Sequence, residues 1–315
     1  MHLQGFYRNE PTERVVEWYL WILQACPRLE QVDLRFQTED KVHTVLQALH
    51  LAPPPLTTTS NPAVPSIRSI TLTNSASGHV FNVQEILEAL KRSPLFLLDT
   101  IEINQASQFE SRNSTSPQLP FPIKNIKIKG GRETMDNWFG FFPRTPSTLE
   151  HFSYAGPPRW KNTDLTELSS VLGTNLQSLS LVFRHDRRYG SFWLGPSIPL
   201  TTFASLPQLT ILTLCNTHGP SLPLLETLLQ FSPLLSVISF NGSRWVDDSN
   251  PLSKVPDELF PSTQIIRTLR HFRCLRSIDL GHLPTRDALK YTFVKTALHE
   301  QGIAVLWDFD ELYGN

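Results

Sequence analysis

Residues 207–240 read PQLTILTLCNTHGPSLPLLETLLQFSPLLSVISF, and the fold can be read from this stretch. A proline is followed twice at the same offsets by apolar residues, as Pro207-x-Leu209-x-x-Leu212-x-Leu214 and Pro233-x-Leu235-x-x-Ile238-x-Phe240. Side chains alternate across a strand, so the fourth and sixth residues of the pattern (Leu212 and Leu214, counting from Leu209) share one face. Thr213 between them faces the other way. The segment between the two copies carries Leu225, Leu228 and Leu229 at helical spacing. Each proline, two residues ahead of its pattern, lacks an N–H and clashes with the preceding turn, which stops the helix.

The same pattern occurs nine times along the chain: Leu29-Val32-Leu34, Ile67-Ile70-Leu72, Leu98-Ile101-Ile103, Ile123-Ile126-Ile128, Leu149-Phe152-Tyr154, Leu176-Leu179-Leu181, Leu209-Leu212-Leu214, Leu235-Ile238-Phe240 and Leu275-Ile278-Leu280. The shortest spacings between first members, 25 to 27 residues, define the unit; longer ones carry insertions. The fifth position holds Asp33, Thr71, Glu102, Lys127, Ser153, Ser180, Thr213, Ser239 and Asp279. A strand buried on both faces would not tolerate that series, so one face is wet, which argues against a doubly wound sheet or a barrel. Helical spacing recurs between strands at Val42-Val45-Leu46-Leu49, Val83-Ile86-Leu87-Leu90 and Met135-Trp138-Phe139-Phe142, and more loosely at Leu165-Leu168-Leu172 and Ile265-Leu269-Phe272. The fold expected is an α/β leucine-rich-repeat solenoid, a horseshoe with a parallel inner sheet and outer helices.

A single domain over 1–315 follows: an N-terminal helix and cap over 1–28, about nine irregular repeats over 29–282, and a C-terminal cap with an acidic tail over 283–315. In the first helix Val15, Tyr19, Ile22 and Leu23 face the repeats, while Trp18 and Trp21 form a second stripe that either wraps into the core or, as the favoured expectation, meets a covering segment upstream of Met1. The cap begins at Thr285 and Asp287, buries Leu289, Phe293 and Ala297, stops at Gly302 and closes with a strand from Ile303 to Trp307. Asp308, Asp310 and Glu311 then shield the sheet edge.

Composition excludes several classes of function. The chain is 40% hydrophobic and 18% charged, with a formal charge of -1, so no overall field favours nucleic acid or an anionic membrane. Cys26, Cys215 and Cys274 are odd in number and far apart, which gives neither a disulfide framework nor a paired metal site and suits a reducing compartment, cytoplasmic or nuclear. Neither a signal peptide nor an 18-residue apolar run is present. Phosphate-loop, dinucleotide, nucleophile-elbow and zinc-protease signatures are absent, and no cofactor or metal is expected. His271-x-x-Cys274 reads as a partly buried histidine and a core thiol, and Lys129-Gly130-Gly131-Arg132 as a strand-to-helix turn. Asn113-Ser114-Thr115 and Asn241-Gly242-Ser243 match glycosylation acceptors, which matter only in a secreted protein.

Units such as Pro27-x-Leu29-x-x-Val32-x-Leu34 and Pro207-x-Leu209-x-x-Leu212-x-Leu214, with the closing helix, Gly302 and strand, resemble the irregular leucine-rich-repeat region of fungal F-box-type proteins. At the position where regular repeats of this kind carry an asparagine after the strand, this chain has Ser75, Arg184, Thr217 and Ser243. The resemblance implies a region that selects a protein substrate. An F-box N-terminal to it, absent from this chain, would dock on the adaptor of a cullin-type ubiquitin ligase.

Three insertions, residues 105–122, 183–200 and 242–256, leave from strand C-termini along one rim, where recognition loops belong. Arg184, Arg187, Arg188, Tyr189 and Trp193 in the second, with Arg244 and Trp245 in the third, are residue types that dominate interface energetics. The competing role for Trp193 and Trp245 is to fold back over the core. The wet sheet face around Glu102, Lys127, Lys129 and His151 is a second candidate, suited to an acidic or phosphorylated peptide. The function expected is non-enzymatic protein recognition. A scaffold or inhibitor unrelated to ubiquitin is the alternative, and an enzyme with a site in the rim loops a more distant one.

Overall fold

The computed structural model describes residues 26, 29–36, 67–74, 81–91, 96–104, 109–110, 121–130, 148–156, 168, 172–183, 198–217, 220–243, 245–247, 250–254, 262–283 and 288–309. They belong to two compact units, Met1–Arg144 and Thr145–Asn315. In the first unit, strands β1 (Gln31–Phe36), β2 (Ile67–Asn74), β4 (Phe96–Asn104) and β6 (Asn125–Lys129) pair in parallel in that order. A two-stranded parallel pair, β3 (Phe81–Asn82) with β5 (Phe109–Glu110), and helix α1 (Val83–Lys91) accompany them. The second unit strings β7 (His151–Gly156), β8 (Ser178–Phe183), β9 (Ile211–Cys215), β10 (Val237–Ser239), β13 (Ser277–Leu283) and β14 (Ala304–Phe309) into a parallel ladder. Between them stand helices α2 (Leu222–Phe231), α3 (Ser262–Arg270) and α4 (Ala288–His299), and a hairpin of β11 (Val246–Asp247) with β12 (Asn250–Lys254).

All nine copies of the sequence pattern lie at these ladders, and the pairing register is the pattern itself. Val32, Ile70, Ile101 and Ile126 stand side by side in the first unit. Phe152, Leu179, Leu212, Ile238 and Ile278 do so in the second. Every apolar residue of the pattern is buried, Leu29 and Leu275 being the most exposed at 6%. A slip of one residue would turn each row into water, so the apolar rows fix the register. Just ahead of the strands, backbone bonds such as Thr210 N to Gln177 O, Ser236 N to Thr210 O and Arg276 N to Ser236 O, each 2.8 Å, join one coil to the next. No coil can bury its own apolar row, so stability comes from this stacking, and each unit is leucine-rich-repeat solenoid of the α/β class.

The helices bury the residues that periodicity selects. In α1 these are Val83, Ile86, Leu87 and Leu90. In α2 Leu225 and Leu228 are buried as expected, with Leu224 in place of the partly exposed Leu229, and the Ser221 hydroxyl caps the helix by accepting from Leu224 N at 3.3 Å. In α3, Ile265 and Leu269 are buried, as is Phe272 just after it.

Helix α4 departs from expectation: Val294, Ala297 and Leu298 enter the core and Phe293 is 53% exposed. Of the expected trio Ala297 is buried and Phe293 is not, while the Leu289 side chain lies outside what is described. Val294 and Leu298, four apart, give a stripe one residue further on that meets the core. Gly302, at φ +75°, ends the turn after α4 as expected, and the last strand runs Ala304–Phe309. The N-terminal helix, residues 310–315 and the helical segments around 42–49 and 135–142 lie outside the described residues.

Candidate binding surface

In the first unit, side chains on the strand face opposite the apolar rows form cross-strand rows set by the register. Thr71, Glu102 and Lys127 stand abreast, followed by Thr73, Asn104 and Lys129, while Ser69, Thr100 and Asn125 form the row before. Hydrogen bonds tie neighbours together: Asn125 Nδ2 donates to Thr100 Oγ1 at 2.9 Å, and Asn104 Nδ2 to Thr73 Oγ1 at 3.2 Å. The Lys129 ammonium pairs with the Glu102 carboxylate on the adjacent strand. Lys127 and Lys129 are exposed and Glu102 partly so, which makes this surface mixed in charge, with Glu102 offsetting one of the two cations. Asp33 and Thr71, expected to be wet, are buried at 7% exposure each, whereas Ser69 and Thr73 beside Thr71 on β2 are partly exposed. The partners Thr73, Asn104, Thr100 and Asn125 were not singled out from sequence. They sit two residues from the fifth position, so the same alternation would have found them.

In the second unit His151, exposed, begins a row continued by Ser178 and Ile211, and the fifth-position row runs Ser153, Ser180, Thr213, Ser239 and Asp279. This face is small and nearly uncharged. Asp279 is anchored, its Oδ2 accepting from Ser239 Oγ at 3.2 Å and its Oδ1 from Gly281 N at 2.9 Å. Cys215 lies on this face. Burial, with Asp279 adding its negative charge and Ser239 opposing weakly, pushes the thiol up from 9.0 to about 11. At pH 8 its thiolate fraction is about a hundredfold below that of an ordinary cysteine. Cys274, expected as a core thiol, is instead exposed, as is His271. Iodoacetamide at pH 8 is therefore expected to modify Cys274 long before Cys215 in native protein, followed by peptide mass spectrometry. Equal rates would show that Cys215 is not shielded. The raised value also means that stability contributed at this site is present below pH 9 and is lost as pH rises toward 11.

The strand ends of the second unit form a tightly joined corner. Asn216 adopts φ +54°, donates Nδ2 to Phe183 O at 2.7 Å and backbone N to Asn241 O at 3.0 Å. Thr217 and Ser243, standing where regular repeats have asparagine, are buried and share a hydroxyl hydrogen bond of 3.0 Å, and Ser243 Oγ lies 2.9 Å from Leu214 O. These side chains satisfy backbone groups that the strands leave open at their ends. An asparagine one residue upstream of the expected offset, Asn216, is the signal that sequence reading passed over. Gly242 of the glycosylation-like triplet fits here because an added Cβ would lie 2.1 Å from Asn216 Oδ1.

Trp245 belongs to this corner and not to a recognition loop. It is 1% exposed, its indole N–H donates to Leu280 O at 2.9 Å, and its ring meets Phe240 edge-on with centroids 6.5 Å apart. The third insertion continues from it as the β11–β12 hairpin. Placing Trp245 among partner-binding residues is thus corrected, since an indole filling the core is unavailable to a ligand. Arg184, Arg187, Arg188, Tyr189, Trp193 and Arg244 lie outside the described residues. Among the described residues, no group of three or more His, Cys, Asp or Glu side chains converges as a metal site would require, and no helix is long and apolar enough to cross a membrane.

No protein-family model and no curated protein matches the chain. Among solved structures it is similar to an internalin (InlF) of Listeria monocytogenes, with a TM-score of 0.44 and 11% identity, over 92% of this chain. The chain spans 65% of that structure's length. The fold assignment rests on the chain's own parallel strands and their register.

Proposed function

We propose that this chain is a non-enzymatic protein-recognition module that uses the polar face of its sheets. The observation that carries this reading is the set of cross-strand bonds in the first unit, Asn125 to Thr100, Asn104 to Thr73 and Lys129 to Glu102. Side chains already held in place on a stacked-strand scaffold lose little freedom when a partner docks, which favours affinity and specificity. Lys127 and Lys129 project from one strand, two residues apart, and supply the charged anchors. His151 and the arginine-rich second insertion, with Arg184, Arg187, Arg188, Tyr189 and Trp193, are further elements of this proposal, and Arg244 is kept with them.

Lys127→Glu with Lys129→Glu tests it by comparative affinity purification. The expected result is a partner captured by the wild type and reduced about tenfold with the variant, with thermal unfolding unchanged. An identical set of captured proteins would exclude this face. The finer reading, a substrate selector of a cullin-type ubiquitin ligase working in the cytoplasm or nucleus, is supported by the resemblance of the repeats. Recovery of cullin and its adaptor with the full-length gene product is its expected result, and their consistent absence rejects it.

A further inference from the structure

Helices α3 and α4 of the second unit lie side by side, and a groove of about 570 Å³ runs between them. Ile266, Arg267 and Arg270 of α3 line it together with Phe293 and Ala297 of α4 and Glu300 just beyond that helix. That volume falls within the range of ligand sites. Three observations give it a chemistry. Phe293, on a helix that buries the neighbouring residue Val294 instead, presents its ring at 53% exposure. The α3 sequence, STQIIRTLR, and the α4 sequence, ALKYTFVKTALH, hold two arginines and two lysines and no carboxylate, and of the residues lining the groove Glu300, just past α4, is the one acidic one against Arg267 and Arg270. Among the described residues neither Arg267 nor Arg270 forms an ion pair. Arg270 is held in place, donating Nη2 to the Ala297 carbonyl at 3.4 Å, near the end of α4. Its planar fork keeps further donors for a carboxylate. Interaction of the arginines with the α3 dipole accounts for their stability on that helix, but not for an exposed phenyl ring lining the same groove.

We propose that this groove docks an acidic peptide segment of a partner protein carrying one apolar anchor. The anchor seats against Ile266 and Phe293, and flanking carboxylates meet Arg267 and Arg270. It is a second surface, built from helices on the apolar side of the ladder and separate from the polar sheet face.

The probe is a fluorescein-labelled peptide of about twelve residues, glutamates flanking a central phenylalanine, titrated against the full chain by fluorescence polarisation at two salt concentrations. Saturable, salt-weakened binding is expected. Arg267→Glu should weaken it about tenfold and Phe293→Ala about fivefold, whereas Lys127→Glu with Lys129→Glu should leave it unchanged. Both groove positions are exposed, and melting curves matching the wild type establish that each variant is folded. Should Arg267→Glu melt early, Arg267→Gln gives the same readout. The proposal is overturned by lack of saturation at roughly millimolar protein, by full binding to Arg267→Glu, or by loss of binding in the lysine variant. Equal competition from a single-stranded oligonucleotide or from anionic lipid vesicles also overturns it, since either would mark a general polyanion surface.

Discussion

Gly281→Ala is expected to destabilise the second unit by about 3–4 kcal/mol, a large fraction of a domain's net stability, and to lower its melting temperature by roughly 10 °C. Gly281 occupies φ +68°, where an L side chain is disfavoured by about 1–2 kcal/mol. Sterics add the rest. A Cβ would stand 2.3 Å from Phe240 O and 2.6 Å from Ser243 O, both backbone atoms, so relief requires the turn after β10 to move. That turn is pinned by Ser243 N donating to Phe240 O at 2.8 Å and Phe240 N donating to Asp279 O at 2.9 Å. Gly302→Ala supplies the control: φ is +75°, and nothing lies within 4 Å of the added Cβ. Its expected cost is the conformational part alone, about 1 kcal/mol. Denaturant melts of both variants separate the contributions, and equal losses for the two would show that the close approach at Gly281 is relieved without cost.

The contrast shows which parts of this molecule were legible before any coordinates. The apolar positions from Leu29 to Leu280 could be read because a row of apolar residues shared by neighbouring coils has one periodic solution. Val83, Ile86, Leu87 and Leu90 were equally legible, since the stripe of α1 has no competing face. Helix α4 was less so: Leu289-Phe293-Ala297 and Val294-Leu298 are both helical spacings, and only contact with the core decides between them. The corner at Asn216, Thr217, Ser243 and Gly281 was hidden for another reason. The bonds that join its coils link residues 25 or more positions apart, as Asn216 to Asn241, Thr217 to Ser243 and Trp245 to Leu280, and no local pattern encodes such partners. The candidate surface was legible in part. The fifth-position polar residues named Lys127 and Glu102, but cross-strand pairing is what ties Lys129 to Glu102.

Trp245→Ala carries the second large effect, and its outcome separates two roles for the same residue. An aromatic anchor of a binding loop would, when truncated, weaken partner capture and leave folding intact. A core indole does the reverse. With 1% exposure, edge-to-face packing on Phe240 and a hydrogen bond to Leu280 O, removal of the ring leaves a cavity and an orphaned carbonyl next to Gly281. A loss of about 3–5 kcal/mol is expected, measured by denaturant unfolding of the whole chain. Trp245→Phe isolates the polar component. It retains most of the apolar filling and loses the N–H donor, so its expected loss is smaller, about 1–2 kcal/mol. If Trp245→Ala melts with the wild type, the indole does not hold the β10 and β13 ends together, and the third insertion regains its place as a recognition loop.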